Sequence, residues 1–135
     1  MRYVTHLEAA IDGTRLDRDG IHTLYQERPI WVRYDLDAIR EVVSPTTLLQ
    51  RPQTMWRYRE LLPYGSKRDV VSLGERWSPL LECPRLARSL GMDQLWIKDE
   101  SQLPTGSFKS RGLAMAITMA KSLGIRRVAL PTAGN

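Results

Sequence analysis

The stretch LPTGSFKSRG, residues 103–112, places Lys109 beside Phe108 within a run of small residues. Lys109 lies at the start of a predicted helix, where the helix dipole disfavours a cation by roughly a few tenths of a kcal/mol. Burial or a neighbouring positive potential makes a lysine amine neutral, and a neutral amine attacks an aldehyde to form a Schiff base. The alternative is a surface lysine with its stem over Phe108 and its ammonium in water. The spacing alone favours this second interpretation.

A flat, phosphorylated aldehyde would suit such a lysine. Small neighbouring residues let a flat ring approach the backbone, and the free amides of a helix N-terminus bind phosphate. Pyridoxal phosphate is an aldehyde of this kind, and it is the cofactor we expect if Lys109 is reactive. Ser107 would contact it through its hydroxyl or its amide, although a helix cap explains this serine equally well. For Arg111, pairing with a surface carboxylate is the more usual role than binding a phosphate.

The elements around Lys109 are predicted to be a strand, a helix and a second strand. QLWIK and RRVALP are short apolar runs typical of buried strands, and Thr105 or Ser107 can cap the helix between them, which ends before Gly124. This order predicts a right-handed crossover in a parallel sheet and therefore an α/β fold. The apolar face of the helix comprises Leu113, Ala116, Ile117, Ala120 and Leu123.

The segment TAGN, residues 132–135, follows the second predicted strand. It would form the turn at the carboxyl end of a parallel strand, where such sheets bind their ligands. A covering helix is expected next. We therefore expect the chain to be an N-terminal piece of a longer protein or a truncated reading frame.

The first 70 residues predict short strands and helices, because prolines repeatedly interrupt the apolar pattern. Helical spacing occurs at residues 35–43 and 54–62, and YGSKRD, residues 64–69, is typical of a connecting turn. A further short helix is predicted between Pro84 and Gly91, which suit a helix start and a helix stop.

Composition restricts the function classes. The 135 residues carry a formal charge of +5, with 42% hydrophobic and 26% charged residues, as in a folded globular protein. Basic residues are scattered beside acidic ones, which argues against nucleic-acid binding. Cys83 is the only cysteine, so a reducing compartment is expected. Without a signal peptide or an apolar run of membrane-spanning length, the sequence predicts a cytoplasmic protein that does not interact with membranes.

The segments LWIKDESQLPTGSFKSRG and VALPTAGN resemble the threonine synthase branch of the fold-type II pyridoxal-phosphate enzymes. The similarity extends upstream through VSLGERWSPLLECPRLARSLG and, more loosely, RPIWVRYDLD. The resemblance implies the tryptophan synthase beta-like fold, a three-layer sandwich with a parallel sheet, present here only as its incomplete N-terminal part. Residues 1–70 would be an N-terminal segment and residues 71–135 the start of the cofactor-binding domain, truncated at Asn135.

The resemblance also assigns the site. Lys109 would bond covalently to pyridoxal phosphate as the catalytic residue, and Ser107 and Phe108 would contact the cofactor. Asn135 would donate a hydrogen bond to its phenolic oxygen, a role that suits a neutral amide. The substrate carboxylate would be held by the turn formed by Thr132, Ala133 and Gly134. The cluster Lys98, Asp99 and Glu100 resembles the family's K-x-E, where we expect a structural ion-pair network.

By this resemblance the full-length protein is a lyase that converts the small molecule O-phosphohomoserine and water into threonine and phosphate, for threonine biosynthesis, and it forms a homodimer. The chain alone would be inactive. Two alternatives remain open: another fold-type II enzyme, of the threonine dehydratase or ammonia-lyase type, and a non-catalytic fragment that serves as an interaction module.

The sequence departs from the family pattern at several positions. Arg76 and Ser78 replace the usual glycine and threonine of L-G-E-G-x-T-P-L, so a change in local geometry or substrate access is expected. Ser110 replaces a frequent aspartate. Residues 1–70 resemble a zinc ribbon without its cysteines, and His6 and His22 cannot supply the four ligands of a structural zinc, so no metal is expected.

Overall fold

The computed structural model describes residues 1–130 of the chain. It begins with three strands, β1, β2 and β3, at Val4–Ala9, Arg15–Leu16 and Ile30–Tyr34. They form an antiparallel sheet in the order β2-β1-β3. The turn after β1 contains Gly13 at φ +77°, a left-handed conformation that glycine adopts without strain. Val4 and Ala9 are buried and are the residues that this sheet contributes to the core.

Short helical segments connect the sheet to the rest of the chain. Helix α1 begins after Asp35, whose carboxylate accepts a hydrogen bond from the Ala38 amide, and α2 begins after Ser44, which caps it in the same way. The helices are α1 at Leu36–Arg40 and α2 at Pro45–Leu49, followed by 3-10 segments at Met55–Leu61 and Lys67–Asp69. The predicted helix at 54–62 is therefore a 3-10 segment, interrupted at Tyr58, where the backbone leaves helical geometry.

A two-stranded ribbon follows. Strand β4, Leu80–Glu82, pairs antiparallel with β5, Trp96–Lys98, and α3, Pro84–Ser89, lies between them in the chain. Helix α3 confirms the prediction, with Pro84 in its first turn and Gly91 at φ +67° just past its end. The strand at QLWIK is also confirmed, but its burial is not. Trp96 and Ile97 are 49% and 42% exposed.

Helix α4, Lys109–Ser122, is the longest element and carries the candidate lysine on its first turn. It ends before Gly124, at φ +73°, as the sequence predicts. Its buried face is formed by Ser110, Ala114 and Thr118, whereas the predicted apolar face is only partly covered. The reason is a polar contact: the Thr118 hydroxyl accepts a hydrogen bond of 3.0 Å from the Val71 amide and draws that segment onto the helix.

The predicted second strand is wrong for the described residues, since 126–130 have no regular secondary structure. A strand needs a neighbouring strand with which to exchange hydrogen bonds. In the described part of the chain, β5 pairs along one edge with β4, and both sheets are antiparallel. The chain thus combines helices and strands as an α/β fold does, while the parallel-sheet sandwich stays a prediction.

The surface area measures how open this arrangement is. The chain exposes 9835 Å², whereas a compact monomer of its 15.5 kDa mass exposes about 7,200 Å². Buried apolar side chains are correspondingly few in the described residues. Within that same part of the chain, no helix has both the length and the apolar character of a membrane span.

Candidate functional site

The loop before α4 holds two successive residues in left-handed conformations. Thr105 has φ +68° and Gly106 has φ +64°. Glycine tolerates this region, but a β-branched residue there is strained by roughly 1–3 kcal/mol. Leu103 anchors the loop, because its side chain is buried and its carbonyl accepts a 2.9 Å hydrogen bond from the Gly106 amide. Tertiary contacts therefore hold this loop in a shape that its threonine disfavours.

Ser107 lies at the junction between the loop and the helix and is buried. Its hydroxyl accepts a 3.3 Å hydrogen bond from the Lys109 amide. Its carbonyl accepts hydrogen bonds from the Ser110 amide at 3.2 Å and from the Ser110 hydroxyl at 3.0 Å. Ser107 thus satisfies a helix-start amide, as one of its two predicted roles requires. Contact with a cofactor stays a prediction.

Lys109 and Phe108 are both exposed at the start of α4, and Phe108 presents 65% of its surface. An exposed lysine beside a largely uncovered aromatic residue is a pair of side chains that fits a flat aldehyde. Lys109 would bond to the aldehyde carbon of pyridoxal phosphate, and Phe108 offers an apolar surface to its ring. The described residues of the site therefore fit this cofactor.

An ion pair holds the first turn of α4 against the end of β5. Arg111 donates to the Glu100 carboxylate through Nε at 2.7 Å and through Nη2 at 3.1 Å, and the Ser78 hydroxyl donates to the same carboxylate. These bonds lower the pKa of Glu100 to about 2, with the Arg111 bond as the largest cause and the Ser78 bond next. The predicted ion-pair network is confirmed for Glu100, and Arg111 pairs with a carboxylate as expected.

The other two residues of the charged cluster, Lys98 and Asp99, form hydrogen bonds with a backbone carbonyl and within a turn. Lys98 Nζ donates to the Ser78 carbonyl at 2.6 Å. Asp99 accepts hydrogen bonds from the amide of Ser101 at 2.9 Å and from its hydroxyl at 2.6 Å. This turn starts the loop that leads to Lys109, so the cluster fixes the near end of that loop.

A cavity of about 560 Å³ lies on the Arg111 side of α4. It is mostly apolar and is lined by Met55, Tyr58, Leu62, Trp77, Lys98, Glu100, Arg111, Gly112 and Met115. The sequence analysis missed this cavity. The spacing of four between Arg111 and Met115, which puts both on one helix face, was the available signal.

The positions that depart from the family pattern adopt backbone conformations that do not require glycine. In the LGERWSPL segment, Gly74 has a left-handed conformation, at φ +92°. Arg76 does not have a positive φ, so its position does not require a glycine. Ser78 retains a hydroxyl, which donates to Glu100. Glu75 is fully buried and accepts hydrogen bonds from the Ser72 hydroxyl and the Leu73 amide. The backbone at Arg76 therefore does not need the conformational freedom of glycine, and the expected difference in local geometry or substrate access stays a prediction.

Four predicted site residues, Thr132, Ala133, Gly134 and Asn135, lie outside the described residues. Their roles stay predictions. Among residues 1–130, no three His, Cys, Asp or Glu side chains gather as metal ligands would.

Comparison with known proteins gives consistent matches. The family described as pyridoxal-phosphate dependent enzyme matches residues 71–135. A threonine synthase of Methanocaldococcus jannaschii is 40% identical over 102 residues, which is 76% of this chain and 25% of that protein. A threonine synthase of Methanosarcina acetivorans is 38% identical over 132 residues, 96% of this chain and 32% of that protein.

A third relative, a threonine synthase of Synechocystis sp., is 40% identical over 107 residues, 73% of this chain and 28% of that protein. The chain thus spans about a quarter to a third of the length of these relatives. No solved structure matches it. Residues 71–135 therefore match the family of pyridoxal-phosphate dependent enzymes, whose cofactor is pyridoxal phosphate, and the chain is similar to threonine synthases.

Proposed function

We propose that this chain is part of an enzyme of the threonine synthase type, which converts O-phosphohomoserine and water into threonine and phosphate. One observation carries the proposal: in the segment that matches the family, the exposed residue Lys109 stands on the first turn of a helix beside the exposed residue Phe108. The names of the relatives support the choice of reaction.

In this proposal Lys109 and the side chains near it bind and orient the cofactor and the substrate, and they move protons. Bound pyridoxal phosphate supplies an aldehyde and an electron-withdrawing ring. Lys109 would hold the cofactor covalently, and its amine would carry protons to and from the reacting carbons. Ser107 holds the Lys109 amide, and Ser107 and Phe108 would contact the cofactor. Asn135 donates to the phenolic oxygen, and residues 132–134 hold the substrate carboxylate.

The activity is proposed for a longer protein, since the relatives are three to four times the length of the matched segment. We propose that this longer protein is a cytoplasmic homodimer and that the chain alone is inactive. We also propose that residues 1–70 are an N-terminal segment and that residues 71–135 are the start of the cofactor-binding domain. The formal net charge of +5 suits an anionic substrate.

Reductive trapping tests the role of Lys109. The chain has four lysines, Lys67, Lys98, Lys109 and Lys121, which compete for pyridoxal phosphate within one molecule. Incubation with the cofactor, reduction with borohydride and peptide mass spectrometry should find the reduced adduct predominantly on Lys109. The absorbance near the visible edge should vanish in Lys109→Ala and persist in Lys67→Ala, a matched exposed lysine. Equal labelling of Lys67 and Lys109 would refute the assignment.

Substrate choice needs a second assay on the longer protein. Phosphate release and threonine formation from O-phosphohomoserine support the proposal. Turnover of serine or threonine to an oxoacid and ammonia, without turnover of O-phosphohomoserine, would replace it with the dehydratase or ammonia-lyase reaction.

A further inference from the structure

Glu100 is the residue through which three separate segments meet beside the candidate lysine. Its carboxylate accepts hydrogen bonds from Arg111, eleven residues ahead, and from Ser78, twenty-two residues behind. Arg111 Nη2 also donates to the Arg76 carbonyl at 2.9 Å. The end of β5, the 76–78 segment and the first turn of α4 are therefore held together by one carboxylate.

The same residue holds both ends of the loop that precedes Lys109. At the near end, the Glu100 carbonyl accepts a 3.3 Å hydrogen bond from the Leu103 amide. At the far end, the Glu100 side chain holds Arg111, two residues past Lys109. Between these ends lies Thr105 in its disfavoured left-handed conformation. A loop that stores strain keeps its shape only when its surroundings fix it.

The geometry of the ion pair suits a positioning role. Two nitrogens of one guanidinium contact the two oxygens of one carboxylate, so the pair resists rotation as well as separation. Both side chains are about three-quarters covered, at 27% and 24% exposure. The Ser107 bonds to Lys109 and Ser110 are local and move with the helix start. The Glu100–Arg111 pair therefore contributes to the orientation of that turn relative to β5.

We infer that Glu100 is a positioning residue for Lys109: by joining Arg111 to the end of β5 and the 76–78 segment, it fixes the helix turn from which the Lys109 amine reaches the cofactor. This inference rests on the proposed role of Lys109. Glu100 itself acts only through Arg111 and the loop.

The test compares Glu100→Gln with Glu60→Gln. Glu60 is a matched control because its carboxylate is also held by two nitrogens of one arginine, Arg51, at 2.7 and 2.9 Å, in a more buried pair. Glu100→Gln should slow borohydride-trapped addition of pyridoxal phosphate to Lys109, relative to Lys67, by roughly tenfold. Glu60→Gln should leave that ratio unchanged even though it lowers the midpoint of unfolding.

Two further variants keep the inference testable if Glu100→Gln folds poorly. Arg111→Lys keeps the charge but loses the two-point contact, so it should slow the addition too. Ser78→Ala keeps the ion pair and should give a smaller effect. The double variant of Glu100→Gln with Arg111→Gln should slow the reaction no more than the single change with the larger effect, as expected for partners in one contact.

Hydrogen–deuterium exchange separates failure of this inference from failure of the proposed function. Without cofactor, Glu100→Gln should speed amide exchange at residues 105–111 by roughly tenfold and leave β1 unchanged. If Lys109 of the unaltered chain shows no preference for pyridoxal phosphate, the proposed function fails, whatever the exchange data show. If exchange at 105–111 is unaltered, or rises equally throughout the chain, Glu100 has no positioning role and the inference is overturned.

Discussion

Replacing Thr105 with glycine should stabilise the chain, although it removes a side chain. Thr105 is exposed and has φ +68° and ψ 7°. A non-glycine residue in this region is strained by about 1–2 kcal/mol, and glycine removes that strain. Glycine also gives the unfolded chain more freedom, which offsets about 0.5–1 kcal/mol. The net expectation is a gain of about 0.5–1 kcal/mol in the free energy of unfolding.

The neighbouring residue provides the opposite change. Gly106 has φ +64°, and a Cβ added there would meet only the Ser101 carbonyl oxygen, at an ordinary contact distance of 3.7 Å. Gly106→Ala therefore adds strain without a collision and should destabilise the chain by about 1 kcal/mol. Thr105→Ala keeps a Cβ, so its strain remains and its stability should stay close to that of the unaltered chain.

Urea unfolding followed by circular dichroism measures these differences. With a slope of roughly 1–3 kcal/mol per M, Thr105→Gly should raise the midpoint by about 0.2–1 M, and Gly106→Ala should lower it by a similar amount. A midpoint for Thr105→Gly at or below that of Thr105→Ala would refute the reasoning, because it would mean that Thr105 is not strained.

Three further predictions concern stability. Thr118→Val keeps the shape of a fully buried side chain but leaves the Val71 amide without its 3.0 Å acceptor, so urea unfolding should show a loss of about 1–3 kcal/mol; an unchanged midpoint contradicts this. Glu100 has its pKa lowered from 4.5 to about 2, so its contribution is complete above pH 4.5 and lost as pH falls towards 2. Thermal unfolding of Glu100→Gln should therefore depend less on pH in that interval, and parallel curves would exclude the linkage. Asp35→Ala removes the cap of α1 and should lose about 1 kcal/mol, measured against Asp37→Ala, whose nearly fully exposed carboxylate forms only a surface ion pair; equal losses would argue against the cap.

The elements that sequence reasoning predicted correctly are those that local chemistry determines. Pro84 has a fixed φ that suits a first helical turn, and Gly91 and Gly124 adopt the left-handed conformation that ends a helix. These preferences act within one or two turns of chain. Both α3 and α4 therefore end where the sequence predicts.

The elements that sequence reasoning predicted wrongly depend on distant partners. The run around Trp96 and Ile97 is apolar whether its strand is inside a parallel sheet or at the surface of a two-stranded ribbon. Its partner, Leu80–Glu82, lies beyond a helix and was not visible in the pattern. Likewise, the buried face of α4 follows from one hydroxyl contact, between Thr118 and Val71, which a count of apolar residues does not register.

The candidate site shows the same division between local and distant information. Lys109, Phe108 and Ser107 were identified from adjacent residue types and from a recognisable motif. The contact of Glu100 with Arg111 and Ser78 has no signal in spacing, because the residues belong to three segments that only the fold brings together. The sequence therefore predicted the residue proposed to react, and it predicted ion pairs for Glu100 and for Arg111, but it did not predict that these two residues pair with each other.

The chemistry proposed for Lys109 makes opposite demands on its two ends. Its amine has to bond to the cofactor and later carry protons, so the side chain must move, while its Cα must stay at a fixed distance from the cofactor ring. The contacts described for this turn satisfy the second demand. Ser107 holds the Lys109 amide, and Glu100 holds Arg111 on the same turn. Because these contacts act on the backbone and on a neighbouring side chain, they fix the position of the Lys109 backbone without restricting the movement of its side chain.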